Sequence, residues 1–180
     1  IRASDWSSDV CSSDLAIYGS RTKDFVHYSE PELIYRKPDS SIIDSAMYEE
    51  KGKFYLFVKS SPNPDNLLLL VSDHVNGKFE RVEGFDDSMG AQTKGMYEAP
   101  TAVKLADGRW CLFADFYGAG CAGQGYVPFV SDDLTKGVFT RADEAFHFPY
   151  GFKHGTILPI TEEEYERMLA RDWTDVPDLR

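Results

Sequence analysis

The chain has 180 residues, 42% of them hydrophobic and 14% aromatic, enough for one domain with a core and too few for two of ordinary size. Its formal charge of −11 argues against a nucleic-acid partner, and no basic stripe offsets it. No apolar run of about eighteen residues occurs, so no membrane-spanning helix is expected; the longest, Leu67 to Val71, has the length of a strand.

Taken in chain order, the first fifteen residues stand apart. Asp5-Trp6-Ser7-Ser8-Asp9-Val10-Cys11-Ser12-Ser13-Asp14-Leu15 resembles the in-frame translation of a sequencing-library adapter, and residues 1–15 are set outside the fold as a foreign segment. A polar Ser/Asp linker is the plainer alternative for the same composition. That segment carries one cation and three anions, so the charge without it is −9, and the surface stays acidic. Residues 16–180 are then expected to be the C-terminal part of a larger domain whose start, with any export signal, lies upstream.

From residue 16 to about 160 the chain reads as short strands between turn residues, with scarcely any helical periodicity. Asp44-Ser45-Ala46-Met47 leads to a turn at Lys51-Gly52 and the strand Lys53 to Val58. Glu98-Ala99-Pro100-Thr101-Ala102-Val103 leads likewise to a turn at Asp107-Gly108 and the strand Arg109 to Ala114. The later halves also match, Ser72-Asp73 preceding Phe79-Glu80-Arg81 and Ser131-Asp132 preceding Phe139-Thr140-Arg141. A shorter relative, Thr22 to Phe25, precedes Tyr28. Each unit holds about four strands, and a period in the fifties suits a propeller blade. A sandwich of irregular hairpins would explain the strands but not their recurrence. Phe54, Phe57, Trp110 and Phe113 are expected in the core.

Only the end of the chain reads as a helix. Thr161 and Glu164 form a capping box, Glu162 and Glu163 suit the positive helix end, and Glu162 to Leu169 is expected to pack on the propeller. Cys111 lies in an apolar strand and Cys121 in a Gly-rich loop; free thiols are the simplest reading, with a bridge as the alternative.

The first strand of each propeller blade lines the central axis, so equivalent strand ends converge from different blades. Asp44 and Glu98 take matching places 54 positions apart, and His154, opening an apolar strand from Lys153 to Pro159, follows Glu98 by 56. Three ionisable groups at blade period are expected to face one another. His27, His74 and His147 sit in turn-like or strand-end contexts. The glycines between Tyr117 and Gly125 lack the Lys-Ser/Thr and helix of a phosphate site and read as a loop beside the pocket.

Ile43-Asp44, Tyr97-Glu98-Ala99-Pro100 and Lys153-His154-Gly155-Thr156, in this order and spacing, resemble the motifs of glycoside hydrolase family 43. That family holds α-arabinofuranosidases, β-xylosidases and arabinanases on a five-bladed propeller. The resemblance implies an all-β fold, a partial five-bladed β-propeller with a short C-terminal helix. It implies an inverting glycosidase acting on arabinose- or xylose-containing plant polysaccharides or oligosaccharides, outside the cytoplasm (extracellular or periplasmic). It further implies Glu98 as general acid, and Asp44 as the carboxylate that orients the acid and raises its pKa by like-charge repulsion. His154 matches the histidine near the central channel, which in some members helps hold a calcium ion through water; beyond that structural calcium, no cofactor is required. Tyr97 and Tyr117 either stack on a sugar or pack.

The family's general base is an Asp near the start of the first blade. Asp5, Asp9 and Asp14 fall in the adapter-like stretch and Asp24 reads as a turn cap, so no base is assigned, and the 180-residue chain by itself is expected to be inactive. Two alternatives stand beside this: a non-catalytic carbohydrate-binding propeller, and a propeller glycosidase of a related family with a different stereochemical outcome.

Overall fold

Hairpin after hairpin, the strands stack in chain order into two four-stranded antiparallel sheets. The computed structural model describes residues 15–62, 64–82, 84–92, 96–117, 125–146 and 151–171. The adapter-like segment up to residue 14, Cys11, Cys121, His147 and residues 118–124 of the Gly-rich loop lie outside these. A short pair, β1 (Ile17–Gly19) and β2 (Glu32–Tyr35), comes first. β3 (Ser41–Glu50), β4 (Lys53–Ser61), β5 (Asn66–Ser72) and β6 (Glu80–Arg81) form one sheet, and β7 (Tyr97–Lys104), β8 (Trp110–Phe116), β9 (Gly125–Ser131) and β10 (Thr140–Arg141) the other. These are two blades of an all-β propeller, one for each copy of the repeat.

Both faces of each blade are buried, which is why the strands read as near-continuous apolar runs. Along β4, Tyr55 and Phe57 face a cluster shared with Tyr97, Leu112, Val127 and Phe129 of the second blade. Leu56 and Val58, on the opposite face, join Ile42, Leu68 and Leu70. Phe54 is partly buried against that second cluster, while Phe57, Trp110 and Phe113 are buried as expected. Phe57, Phe85 and Phe139 meet edge to face, with centroids 5.4 to 6.1 Å apart. Each such fully buried side chain contributes about 1.5–3 kcal/mol by leaving water. Cys111 is a free thiol in the interior, and burial pushes its pKa up to about 12.

The inner strands, β3 and β7, are joined by side chains reaching to backbone. The Tyr48 hydroxyl accepts the Ala102 amide at 2.7 Å, and Asp44 Oδ2 accepts the Ala99 amide at 3.0 Å. Lys104 Nζ adds an ion pair to Glu50 near the hairpin turns (2.7 Å).

The ladders correct the repeat register. One extra residue bulges out of β3 between Ile43 and Ala46, and another out of β7 between Glu98 and Thr101. Aligning the bulges makes Ile43 the counterpart of Glu98 and Asp44 the counterpart of Ala99, an offset of 55 rather than 54. Backbone geometry agrees: Asp44, Ala99 and His154 all have positive φ (51°, 46° and 47°). Asp44 and Glu98 therefore do not occupy matching places; they are one residue out of step.

Three further expectations change. Residues 85–92 form a helix, α1 (Phe85–Gln92), that the sequence pattern did not indicate. Two turns burying only Phe85 and Met89 are too short to show a helical period. Its Ser88 hydroxyl donates to Phe139 O, and Gln92 Oε1 accepts the Arg141 amide, so it ties the first blade to β10. The apolar segment 153–159 is not a strand. It lies beside β7 but, among the described residues, shares no ladder with it. Its contact there is the Ile157 amide to Thr101 Oγ1 at 3.5 Å. The last helix, α2 (Glu162–Ala170), has its capping box, yet none of its residues is buried, so it does not pack on the blades as expected.

Tyr48→Phe removes the acceptor of a buried amide while keeping the ring. Urea unfolding of this variant is expected to show a loss of about 1–3 kcal/mol, the cost of leaving that donor unpaired.

Candidate active site

The bulged ends of the inner strands gather the ionisable groups. Glu98 lies in the β7 bulge with a quarter of its side chain exposed, and the adjoining Ala99 is held in a left-handed backbone by its contact with Asp44. Non-glycine residues in that region cost of order 1–3 kcal/mol each and persist only where surroundings fix them. Here three recur at blade period, with chemically capable side chains at or next to each.

His154 comes from the segment after the second blade. That segment is pinned at β9, where the Tyr126 amide bonds Phe152 O (3.0 Å) and the Tyr126 hydroxyl bonds Gly155 O (2.6 Å). Gly125 makes the approach feasible, since a Cβ there would sit 2.6 Å from Phe152 O. His154 Nε2 is thereby placed 3.3 Å from Glu98 Oε1, with its side chain half exposed.

The third member is Asp115, which the sequence reading missed. It stands opposite Glu98 on β8, is wholly buried, and has Oδ2 3.4 Å from His154 Nε2 and 3.6 Å from Lys153 Nζ. Among the described residues neither of its oxygens accepts a hydrogen bond. One ligand atom from each of Glu98, Asp115 and His154 falls within 4.8 Å of the other two. A lone carboxylate at the end of the apolar strand Cys111-Leu112-Phe113-Ala114 was the available signal, because a buried charge demands a partner.

Lys59 is the matching residue of the first blade, opposite Ile43 as Asp115 is opposite Glu98. Its side chain is 3% exposed, and Nζ donates to Asp65 Oδ1 (2.6 Å) and to the Tyr117 hydroxyl (2.7 Å). Tyr117 is thus tied into an ion-paired cluster at the blade rim. Tyr97 is in the core, 1% exposed, its ring against Phe116 and Phe129, so it presents no face to a sugar. Asp24 caps its own turn, accepting the amides of Val26 and His27 and pairing with the His27 ring (2.7 Å).

A family model described as a probable glycosyl hydrolase domain, related to glycoside hydrolase family 43, matches residues 2–166, and the chain belongs to that family. No curated protein matches it in sequence. A solved family 43 β-1,3-galactosidase with galactodeoxynojirimycin is similar over 61% of this chain at 16% identity, with a TM-score of 0.42. The chain spans 36% of that protein's length.

The hydrogen bond from Lys59 holds the Asp65 carboxyl below its ordinary range. A lowered carboxyl pKa stabilises the fold fully above the ordinary value near 4, and the contribution is lost as pH falls through that range and the lowered value beneath it. Asp65→Asn is expected to cost about 1–3 kcal/mol at pH 7, reduced from a fully buried pair because Asp65 is partly solvated. Urea midpoints should show the gap to the parent chain closing towards pH 3.

Proposed function

We propose that, in the whole protein, Glu98 is the general acid of a glycosidase acting on arabinose- or xylose-containing poly- or oligosaccharides. The observation that carries this is Glu98's position: a partly exposed carboxyl at the bulged end of an inner strand, 3.3 Å from the His154 ring. From there its proton can reach a glycosidic oxygen, so that the sugar leaves as a neutral hydroxyl. Asp44 orients the acid from one residue away by holding the Ala99 amide. The His154 ring bounds the same space.

In an inverting mechanism a second carboxylate activates water on the far face of the sugar, and the pair stands about 6.5–9.5 Å apart. Asp115 does not meet that requirement. It is buried, and its oxygen lies within 4.8 Å of the Glu98 ligand atom. The base is therefore assigned to a residue outside this rim.

With aryl arabinofuranosides and xylosides as substrates, and aryl galactosides for comparison, Glu98→Gln in the whole protein should lose about 10²–10⁴-fold on poor leaving groups. It should retain much of its rate on dinitrophenyl glycosides, which need no proton. Equal loss on both removes Glu98 as the acid. Sugar binding by the parent protein without hydrolysis of any substrate favours a carbohydrate-binding propeller instead.

A further inference from the structure

At the hairpin-turn end of the blades the two sheets leave a cleft of about 340 Å³ between them, within the range of small-molecule sites, about 300–1,000 Å³. One wall is the turn after β3 with the start of β4. The other is the end of β7, the start of β8 and the segment after β9. Lys104, in that wall, ends the strand that carries Glu98 in its bulge. At a strand's rise per residue the two stand roughly 20 Å apart, so the cleft and the bulged rim lie at opposite ends of the blades.

The floor holds polar groups that packing does not explain. Tyr55 is 1% exposed and lines the cleft, yet its hydroxyl has no hydrogen-bond partner among the described residues. The hydroxyl is not sealed within the core; the cleft is where it opens. Burial, with the Asp133 carboxylate nearby, pushes its pKa up, so it stays a donor at neutral pH. Trp110 lines the same cleft with its indole Nε1 buried and no acceptor for it among the described residues, the ring edge to face with Tyr48. A buried donor without a partner is costly, and a ligand oxygen in the cleft relieves that cost at Tyr55. Around the floor stand Glu50, Lys51, Lys53, Lys104, Asp132 and Asp133, three anions against three cations. Lys104 pairs with Glu50 (2.7 Å) and Lys53 with Asp73 (2.6 Å), while Asp133 accepts from Thr135. The charges balance, so no net field draws in a phosphate or a polycation. The lining suits a neutral ligand rich in hydroxyls, each of which both donates and accepts.

We propose that this cleft binds a neutral oligosaccharide, as a second sugar site at the end of the blades opposite Glu98. Tyr55 donates to a sugar oxygen from the floor, the Glu50 and Asp133 carboxylates accept from sugar hydroxyls, and Lys104 donates to them. Membership of a glycosyl hydrolase family brings such chains within reach of the protein, and the site does not rest on the acid role of Glu98.

The test is the ¹H–¹⁵N spectrum of the indole groups in the full 180-residue chain, which has three tryptophans, the Trp110 signal being assigned with Trp110→Phe. Xylotriose or arabinotriose should shift that signal saturably, in the parent and in Glu98→Gln alike. Tyr55→Phe keeps the ring and should weaken the binding about three- to tenfold, the weight of one hydrogen bond. Thr135→Phe, at an exposed lining position, should fill the cleft and abolish the shift, with circular dichroism showing both variants folded. Absence of a shift in the parent, its loss in Glu98→Gln, or its survival in both cleft variants overturns the site. A galacturonic acid trimer that binds more tightly than the neutral trimers overturns the ligand class. None of these readouts is hydrolysis, so their failure leaves the Glu98 acid test standing, and the reverse.

Discussion

The arrangement rests on a seam that no backbone ladder holds. The inner strands β3 and β7 are in contact yet belong to different sheets, and among the described residues no backbone bond joins them. The amides of β7 that face β3 must find other acceptors or go unpaired. Asp44 and Tyr48 supply them, one at each of two amides three residues apart on the neighbouring strand. Around these two bonds close the aromatic cluster between the blades and the bulge that presents Glu98.

The bulges reconcile a packed core with an exposed acid. Tyr97 and Ala102 share the cluster between the blades although they are five residues apart, an odd interval that a regular strand would put on opposite faces. The extra residue between them absorbs the mismatch, bends the strand, and leaves Glu98 at the bend. The same device in β3 brings Ile42 and Met47 to one side, again five apart. In β3 and β7, backbone strain and chemical capability thus occur together at the bulge.

Much of this was legible beforehand, for identifiable reasons. Strand runs, the Lys51-Gly52 and Asp107-Gly108 turns and the Thr161 cap are local signals, and each is where the sequence indicated. Asp44 and Glu98, 54 residues apart, are alike in side chain but not in position; hydrogen-bond register alone separates Glu98 from Ala99. Asp115 and Lys59 escaped notice because a single charge within an apolar run is swamped by its neighbours' hydropathy. Their pairing across blades emerges only when each stands opposite a bulge. Residues 153–159 have strand-like composition, but a strand exists by virtue of its partner, and β7 meets that segment through side chains, Thr101 and Glu98, without a ladder. Helix α2 shows the converse: its capping chemistry is local and formed, whereas its docking depended on a neighbour that the described residues do not provide.

The two seams are not equivalent. With a 55-residue offset, the counterparts of Asp44 and Tyr48 in the second blade are Ala99 and Val103, neither of which can accept a hydrogen bond through its side chain. The second seam relies instead on Tyr126, on the weak Thr101 contact and on the longer-range pairing of Asp115 with Lys153 and His154. Apolar contacts complete it, with Ile157 packed against Cys111, Phe113 and Tyr126 and the Phe152 ring 6.0 Å from that of Tyr126. A blade copied whole from the first would bring its own anchors and lock this boundary as tightly as the other. The second blade lacks them, so Glu98 stands at the boundary with fewer side-chain-to-amide anchors.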